Sequence, residues 1–123
     1  MSEKPPFKYI PWNEVEREAL NDKIDREMVV DDQVMLARVF LKKRCARART
    51  PSPQRTGHLY SLKGALQCSV AGTEVVVKAG EVLRIPGMPH EAWALEDTLD
   101  LEVFTPPRED WLNKTDAYLR HGK

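Results

Sequence analysis

The sequence predicts an all-β fold, an antiparallel sandwich or barrel, in a single domain that spans residues 1–123. Two observations carry this prediction. Short apolar runs of strand length follow one another closely through the middle of the chain, with no helix-length pattern between them. Glycine, proline and aspartate separate these runs, as is typical of tight turns. A chain of 123 residues is long enough for one hydrophobic core but not for two.

The first third of the chain predicts two long strands after a less regular start. In order, the expected elements are an edge strand at Phe7 to Ile10, one or two helical turns in Trp12 to Leu20, and strands at Lys23 to Val30 and Gln33 to Leu41. Pro11 closes the first of these, and proline is tolerated on an edge strand. In the last, Met35, Ala37, Val39 and Leu41 alternate and are expected to share one face.

The rest of the chain predicts six strands and a terminal helix after a basic loop. Arg44 to Arg55 is basic and broken by proline, which favours a solvated loop over an anion site. Spacing of apolar residues in the tail, Pro107 to Leu119, predicts a C-terminal helix. The strands are expected at His58 to Leu62, Ala65 to Val70, Glu74 to Lys78, Val82 to Ile85, Ala92 to Leu95 and Thr98 to Phe104.

Composition excludes several partners. Lysine plus arginine and aspartate plus glutamate both number 19, so no nucleic-acid binding is expected. No apolar run reaches membrane-spanning length, and the N-terminus lacks a signal-peptide core, so we expect a cytoplasmic protein without membrane contact. Cys45 and Cys68 lack a metal-ligand spacing and are expected to be free thiols that pack in the core.

The strand Thr98 to Phe104 is the most informative for function. Leu99, Leu101 and Val103 form an apolar face, which we expect to lie in the core. The opposite face carries Asp100, Glu102 and Phe104. Two acids in alternation usually face solvent, but an acid beside an aromatic ring is also what a small-molecule cavity needs. Both interpretations stay open.

Arg108 follows this strand, and two interpretations of its role stay open. Its guanidinium can bind a ligand carboxylate through two parallel hydrogen bonds. Alternatively, it pairs with Glu109 or Asp110 at the start of the terminal helix.

Two motifs carry a family resemblance. The run GEVLRIPGMPH, from Gly80 to His90, resembles the second conserved motif of the cupins, although its loop is one residue shorter. The run LEVFTPPREDWL, from Leu101 to Leu112, is similar to the pectin-degradation cupins, which linearise 4,5-unsaturated uronates. The resemblance covers roughly the last two thirds of the chain and implies a jelly-roll barrel with its core at about 33–105. Since cupins of this size commonly pair, it also implies a homodimer in which Phe7 to Ile10 is exchanged.

The resemblance also implies roles for individual residues. Glu102 takes the place of a catalytic aspartate, Arg108 holds the substrate carboxylate, and Phe104 lines the substrate pocket. We expect Tyr60 and His58, on an earlier strand, to line the same pocket.

The first cupin motif departs from the family. Its three metal-ligand positions fall on Pro51, Pro53 and Gly57, whose side chains cannot coordinate a metal. His90 is then the one family ligand that remains, with His58 as a possible weak second. We therefore expect no cofactor, or at most a weakly held nickel, zinc, iron or manganese ion.

Three functions remain open. The first is a cupin that binds a small sugar acid without metal. The second is an active uronate isomerase that opens the sugar ring with Glu102 and Arg108. The third is an inert structural dimer.

Overall fold

A computed structural model describes residues 7–47, 56–85, 90–116 and 120 and consists of two antiparallel β-sheets. A 3-10 turn at Trp12–Glu14 precedes the first strand, and one short helix, α1 (Glu109–Leu112), follows the last. The strands are β1 (Arg17–Ala19), β2 (Ile24–Val30), β3 (Met35–Leu41), β4 (Ala46–Arg47), β5 (Thr56–Lys63), β6 (Ala65–Val70), β7 (Thr73–Lys78), β8 (Val82–Ile85), β9 (His90–Ala94) and β10 (Thr98–Thr105).

The two sheets have the strand arrangement of a jelly roll. The first sheet has the order β1-β2-β3-β10-β5-β8, and the second has the order β4-β9-β6-β7. From β3 onward the chain passes back and forth between the sheets, and their facing sides enclose the core. The predicted all-β jelly-roll barrel with a short C-terminal helix is confirmed.

One face of β3 forms part of this core, as predicted. Met35, Ala37, Val39 and Leu41 are all buried, and the residues between them are only partly so. Cys45 and Cys68 are also buried in the core and are free thiols.

The prediction of which face of β10 is buried is wrong. Thr98, Asp100, Glu102 and Phe104 are the buried residues of this strand, and the alternate leucines and valine are partly exposed. Register gives the reason, because Glu102 pairs with Ala37 and Phe104 with Met35, both of which face the core. Side chains of directly paired residues lie on the same face of a sheet, so the acids face inward. Leu99, Leu101 and Val103 therefore lie on the outer face.

Two predictions for the N-terminal segment are also wrong. Phe7 to Ile10 forms no strand within the described chain, and Phe7 and Tyr9 are exposed. The predicted helix in Trp12 to Leu20 is reduced to the 3-10 turn at its start, because Arg17–Ala19 pairs with β2 instead. Here tertiary pairing outweighs a weak local preference for helix.

The C-terminal segment covers the inner face of the first sheet near β2. Trp111 of α1 is fully buried, and its ring lies 5.1 Å from the ring of Phe104 on β10. The guanidinium of Arg26 on β2 lies 4.6 Å from the centre of the Trp111 ring. α1 ends at Leu112, and the amide of Thr115 donates to the carbonyl of Asp110 just beyond it. Residues 117–119 of the predicted helix lie outside the described residues.

An ion-pair cluster fixes this segment to the sheet. Arg26 donates to Asp116 at 2.7 Å and to Glu18 at 3.0 Å, and the side chains of Arg26 and Asp116 are both fully buried. Arg120 bonds both carboxylates at 2.8 Å, and Lys114 adds a bond to Glu18. In the part of the chain that the structure describes, no helix is long and apolar enough to cross a membrane.

Candidate functional site

A polar column lies on the inner face of β10. Asp100 is fully buried and Glu102 is 4% exposed, although both are acids. Glu102 lies between Ala37 of β3 and Leu59 of β5, so its nearest cross-strand neighbours are apolar. A buried carboxyl is costly unless it is paired, and such groups are frequent at functional sites. This placement supports the cavity interpretation of the acid face over the solvent-facing one.

Phe104 ends this column and contacts the C-terminal segment. Its ring is 6% exposed and packs edge-on against Trp111, with an angle of 75° between the ring planes. Gly57 of β5 is its cross-strand partner and leaves room for the ring. Glu102 and Phe104 thus lie on the same inner face of β10.

Arg108 is buried beside Phe104. Its guanidinium carbon lies 5.3 Å from the centre of the Phe104 ring and 5.0 Å from that of Trp111. Its Nε and one terminal nitrogen donate to the two oxygens of Asp110 at 3.1 and 2.9 Å. Of the two roles that the sequence left open for Arg108, this structure shows the pairing with Asp110. The guanidinium also lies beside the inner face of β10, where the other role would require it.

His58 and Tyr60 are not brought to this site. His58 pairs with Val103 and Tyr60 with Leu101, and both partners belong to the outer face of β10. Both side chains are exposed accordingly. The prediction that they line the pocket with Glu102 and Phe104 does not fit this alternation, since successive residues of a strand face opposite sides. Apolar alternation does not decide the side, because Leu59 and Leu62 are three residues apart and predict opposite buried faces.

His90 begins β9 in the second sheet. It alternates with Ala92 and Ala94, which are buried, so its side chain points toward the interior, and it is half-buried. Its cross-strand partner is Val70 of β6. His90 thus lies on the inner face of the sheet opposite Glu102, although residues 86–89 of its motif lie outside the described chain.

The described residues do not fit the metal centre that the fold family implies. No group of three histidine, cysteine, aspartate or glutamate side chains within the described ranges is placed to hold an ion. At Gly57, one of the ligand positions, a Cβ atom would lie only 2.8 Å from the Phe104 ring. His58 faces outward and cannot join His90. Pro51 and Pro53, at the other two positions, lie outside the described residues.

Sequence reasoning missed one buried polar residue near the acids. Ser61 of β5 pairs with Asp100 and is fully buried, and its hydroxyl has no hydrogen-bond partner among the described residues. Its two-residue spacing from Leu59 is a signal for the inner face, but the position of Leu62 predicts the opposite face. Ser61 and Asp100 extend the polar column below Glu102.

The described surface also has a cavity of about 320 Å³ away from this column. It opens at the other end of β10, on the outer face, where Phe40 and Leu99 lie beside each other in register. None of the predicted site residues lines it.

Comparison with solved structures establishes the fold. KdgF from Halomonas sp. superposes with a TM-score of 0.79 at 20% identity, over 85% of this chain and 98% of that one. An RmlC-like cupin from Shewanella frigidimarina gives a TM-score of 0.76 at 20% identity, over 90% and 99%. Oxalate decarboxylase from Bacillus subtilis, described with Mn(II) centres, gives 0.70 at 17% identity over 92% of this chain and 36% of that chain. No family model and no curated protein matches the sequence.

Proposed function

We propose that this chain, whose fold is that of the cupins, binds a small sugar acid of the uronate class inside its barrel. One observation carries the proposal. The alternation on β10 turns Glu102 and Phe104 inward, and Arg108 is buried against the same Phe104 ring. The three residues that the motif resemblance singles out therefore share one region of the interior.

These three side chains match the chemistry of a uronate. The aromatic ring of Phe104 offers apolar area to the C–H face of a sugar ring. The guanidinium of Arg108 can take the sugar carboxylate with two parallel hydrogen bonds. The carboxylate of Glu102 can accept hydrogen bonds from sugar hydroxyls. The motif resemblance to the cupins that linearise 4,5-unsaturated uronates supports the same ligand class, and the cupin fold shared with KdgF is consistent with that resemblance.

The proposal is tested by thermal denaturation with D-galacturonate. A ligand that binds only the folded state raises the unfolding midpoint, and neutral D-galactose serves as the control sugar. Arg108→Ala should remove the shift, whereas Arg84→Ala, a change to an exposed arginine of β8, should preserve it. A midpoint that no uronate moves would leave the chain with a structural role only.

A second candidate is an enzyme that opens the ring of 4,5-unsaturated uronates. It is favoured by the buried position of the Glu102 carboxyl, beside apolar neighbours rather than in solvent. A base there would take the proton of the anomeric hydroxyl as the ring C–O bond breaks, and carbon 4 would take a proton in return. Glutamate in the place of aspartate moves this base outward by one methylene.

The enzyme candidate has its own test. The ultraviolet absorbance of the unsaturated uronate should fall with time in the presence of the protein. Glu102→Gln should abolish this turnover and preserve the thermal shift by galacturonate, since only the acid/base group is changed. If galacturonate raises the unfolding midpoint of the wild type but the unsaturated uronate is not turned over, the chain is a binding protein.

A further inference from the structure

We infer that Asp110 occupies the ligand's place on Arg108, so that a sugar acid must displace this internal carboxylate before it can bind. The inference rests on the proposed function and specifies how that site is regulated. Its basis is the bidentate pair, in which Nε and a terminal nitrogen of Arg108 bond the two oxygens of Asp110. This is the geometry in which arginine takes a free carboxylate.

The guanidinium itself is held by other contacts. It lies beside the rings of Phe104 and Trp111, at 5.3 and 5.0 Å from their centres, and its side chain is 7% exposed. Both rings are buried and in edge-on contact with each other. These ring contacts do not involve Asp110, so they still hold the Arg108 guanidinium when the Asp110 side chain moves away.

Asp110 can leave while the backbone stays in place. Its side chain is 28% exposed, four times the fraction of its partner arginine. Its backbone carbonyl accepts the amide of Thr115 at 2.9 Å, which fixes the main chain of the turn. A rotation of the side chain toward solvent would break both hydrogen bonds to Arg108.

The consequence is a ligand affinity weakened by internal competition. If the donor pair of Arg108 is open in about one molecule in ten, the apparent Kd is about tenfold above the intrinsic one. Removal of the Asp110 charge should therefore lower the apparent Kd by about the same tenfold factor. The effect should be confined to ligands with a carboxylate, because a neutral sugar does not compete for the guanidinium.

The experiment is calorimetric titration of the full chain with D-galacturonate and with its neutral methyl ester. Asp110→Asn is nearly the same size as wild type and should lower the Kd for galacturonate by about tenfold, with little change for the ester. Asp110→Ser should lower the Kd for galacturonate in the same way. This second variant is needed because the side-chain oxygen of an asparagine could still accept a hydrogen bond from Arg108. Glu109→Gln, a change to the exposed acid next to it, is the matched control and should leave the Kd unchanged.

The outcomes separate this inference from the proposed function. Binding to wild type with an unchanged Kd in both Asp110 variants overturns the inference and leaves the proposed function standing. An equal gain in the Glu109 variant, or for the methyl ester, also overturns it, since general charge or structural loosening would then be the cause. Binding by the Asp110 variants alone supports it in its strongest form. If galacturonate binds neither the wild type nor any folded variant, the inference on Asp110 and the proposed function are both overturned.

Discussion

The ring of Phe104 fills the space that a side chain on Gly57 would need. The two residues are cross-strand partners in β5 and β10, and a Cβ atom on Gly57 would lie 2.8 Å from Cε1 and 3.1 Å from Cδ1 of the ring. A contact below 3 Å forces one group to move. The motif resemblance predicts a metal-ligand position at Gly57, and the Phe104 ring occupies the space that a side chain there would need.

We predict that Gly57→Ala lowers the free energy of unfolding by about 1–3 kcal/mol, the usual cost of overpacking a core. The same substitution should cost less in a Phe104→Leu background, because leucine has no ring at that position. Urea denaturation of the wild type, the two single variants and the double variant measures the coupling between residues 57 and 104 as a double-mutant cycle. Additive effects would mean that the two side chains do not compete for space.

A second prediction concerns metal content. Since His58 faces outward and Gly57 is closed by Phe104, we expect purified protein to hold nickel, zinc, iron and manganese well below one ion per chain. Elemental mass spectrometry after dialysis measures this directly. A value near one per chain would mean that residues outside the described ranges complete a ligand set, and the loss of that metal in His90→Ala would identify His90 as one of its members.

The positions of β2, β3 and β5 to β10 were predictable from this sequence, but β1, β4 and the buried face of β10 were not. On β3, apolar residues at every second position marked the buried side correctly. On β10 the same rule selected Leu99, Leu101 and Val103, yet the acids face inward. Alternating apolar residues mark the buried face of a strand only when the core is wholly apolar. In a barrel that keeps polar side chains inside, the apolar residues of a strand can lie on its outer face instead.

Only the motif resemblance predicted that the residues of the candidate site lie together. The resemblance around LEVFTPPRED brought Glu102, Phe104 and Arg108 together, and the structure places them in one region. The partner of Arg108 depends on side-chain geometry, and the sequence left two alternatives. The outward positions of His58 and Tyr60 follow from register with β10, which pairs residues more than 40 positions apart and has no local signal.

A third prediction concerns the buried pair of Arg26 and Asp116. Removal of the acid by Asp116→Ala leaves a fully buried guanidinium short of one partner, and we expect a loss of about 3–5 kcal/mol, as for other broken buried pairs. Exchange of an exposed acid by Glu16→Ala is the matched control and should cost little. Urea denaturation at neutral pH measures both. Equal effects would show that the pair is not what holds the C-terminal segment.

The same cluster gives stability a defined dependence on pH. Burial by itself would raise the pKa of Glu18, but hydrogen bonds from Arg120, Lys114 and Arg26 outweigh it and lower the pKa from 4.5 to about 2. A carboxyl with a depressed folded pKa stabilises the fold above its unfolded pKa, and this contribution is lost as pH falls. The stability difference between wild type and Glu18→Gln should therefore be constant above about pH 5 and shrink between pH 4.5 and 2. A difference that does not change over this range would contradict the assignment.

The final prediction is a homodimer formed through the outer face of the first sheet. Tyr60, Leu62 and Val82 are 39, 40 and 59% exposed there, beside the partly exposed Leu101. An exposed apolar patch of this kind marks an interaction surface, and the exposed Phe7 and Tyr9 offer further apolar area.

Light scattering should give twice the chain mass of 14.1 kDa. Tyr60→Asp should shift the mass to that of one chain, because it places a charge in the apolar contact. Val76→Asp, at an equally exposed valine of the second sheet, should leave the dimer intact. A dimer that survives Tyr60→Asp would place the interface elsewhere, and a monomeric wild type would rule the dimer out.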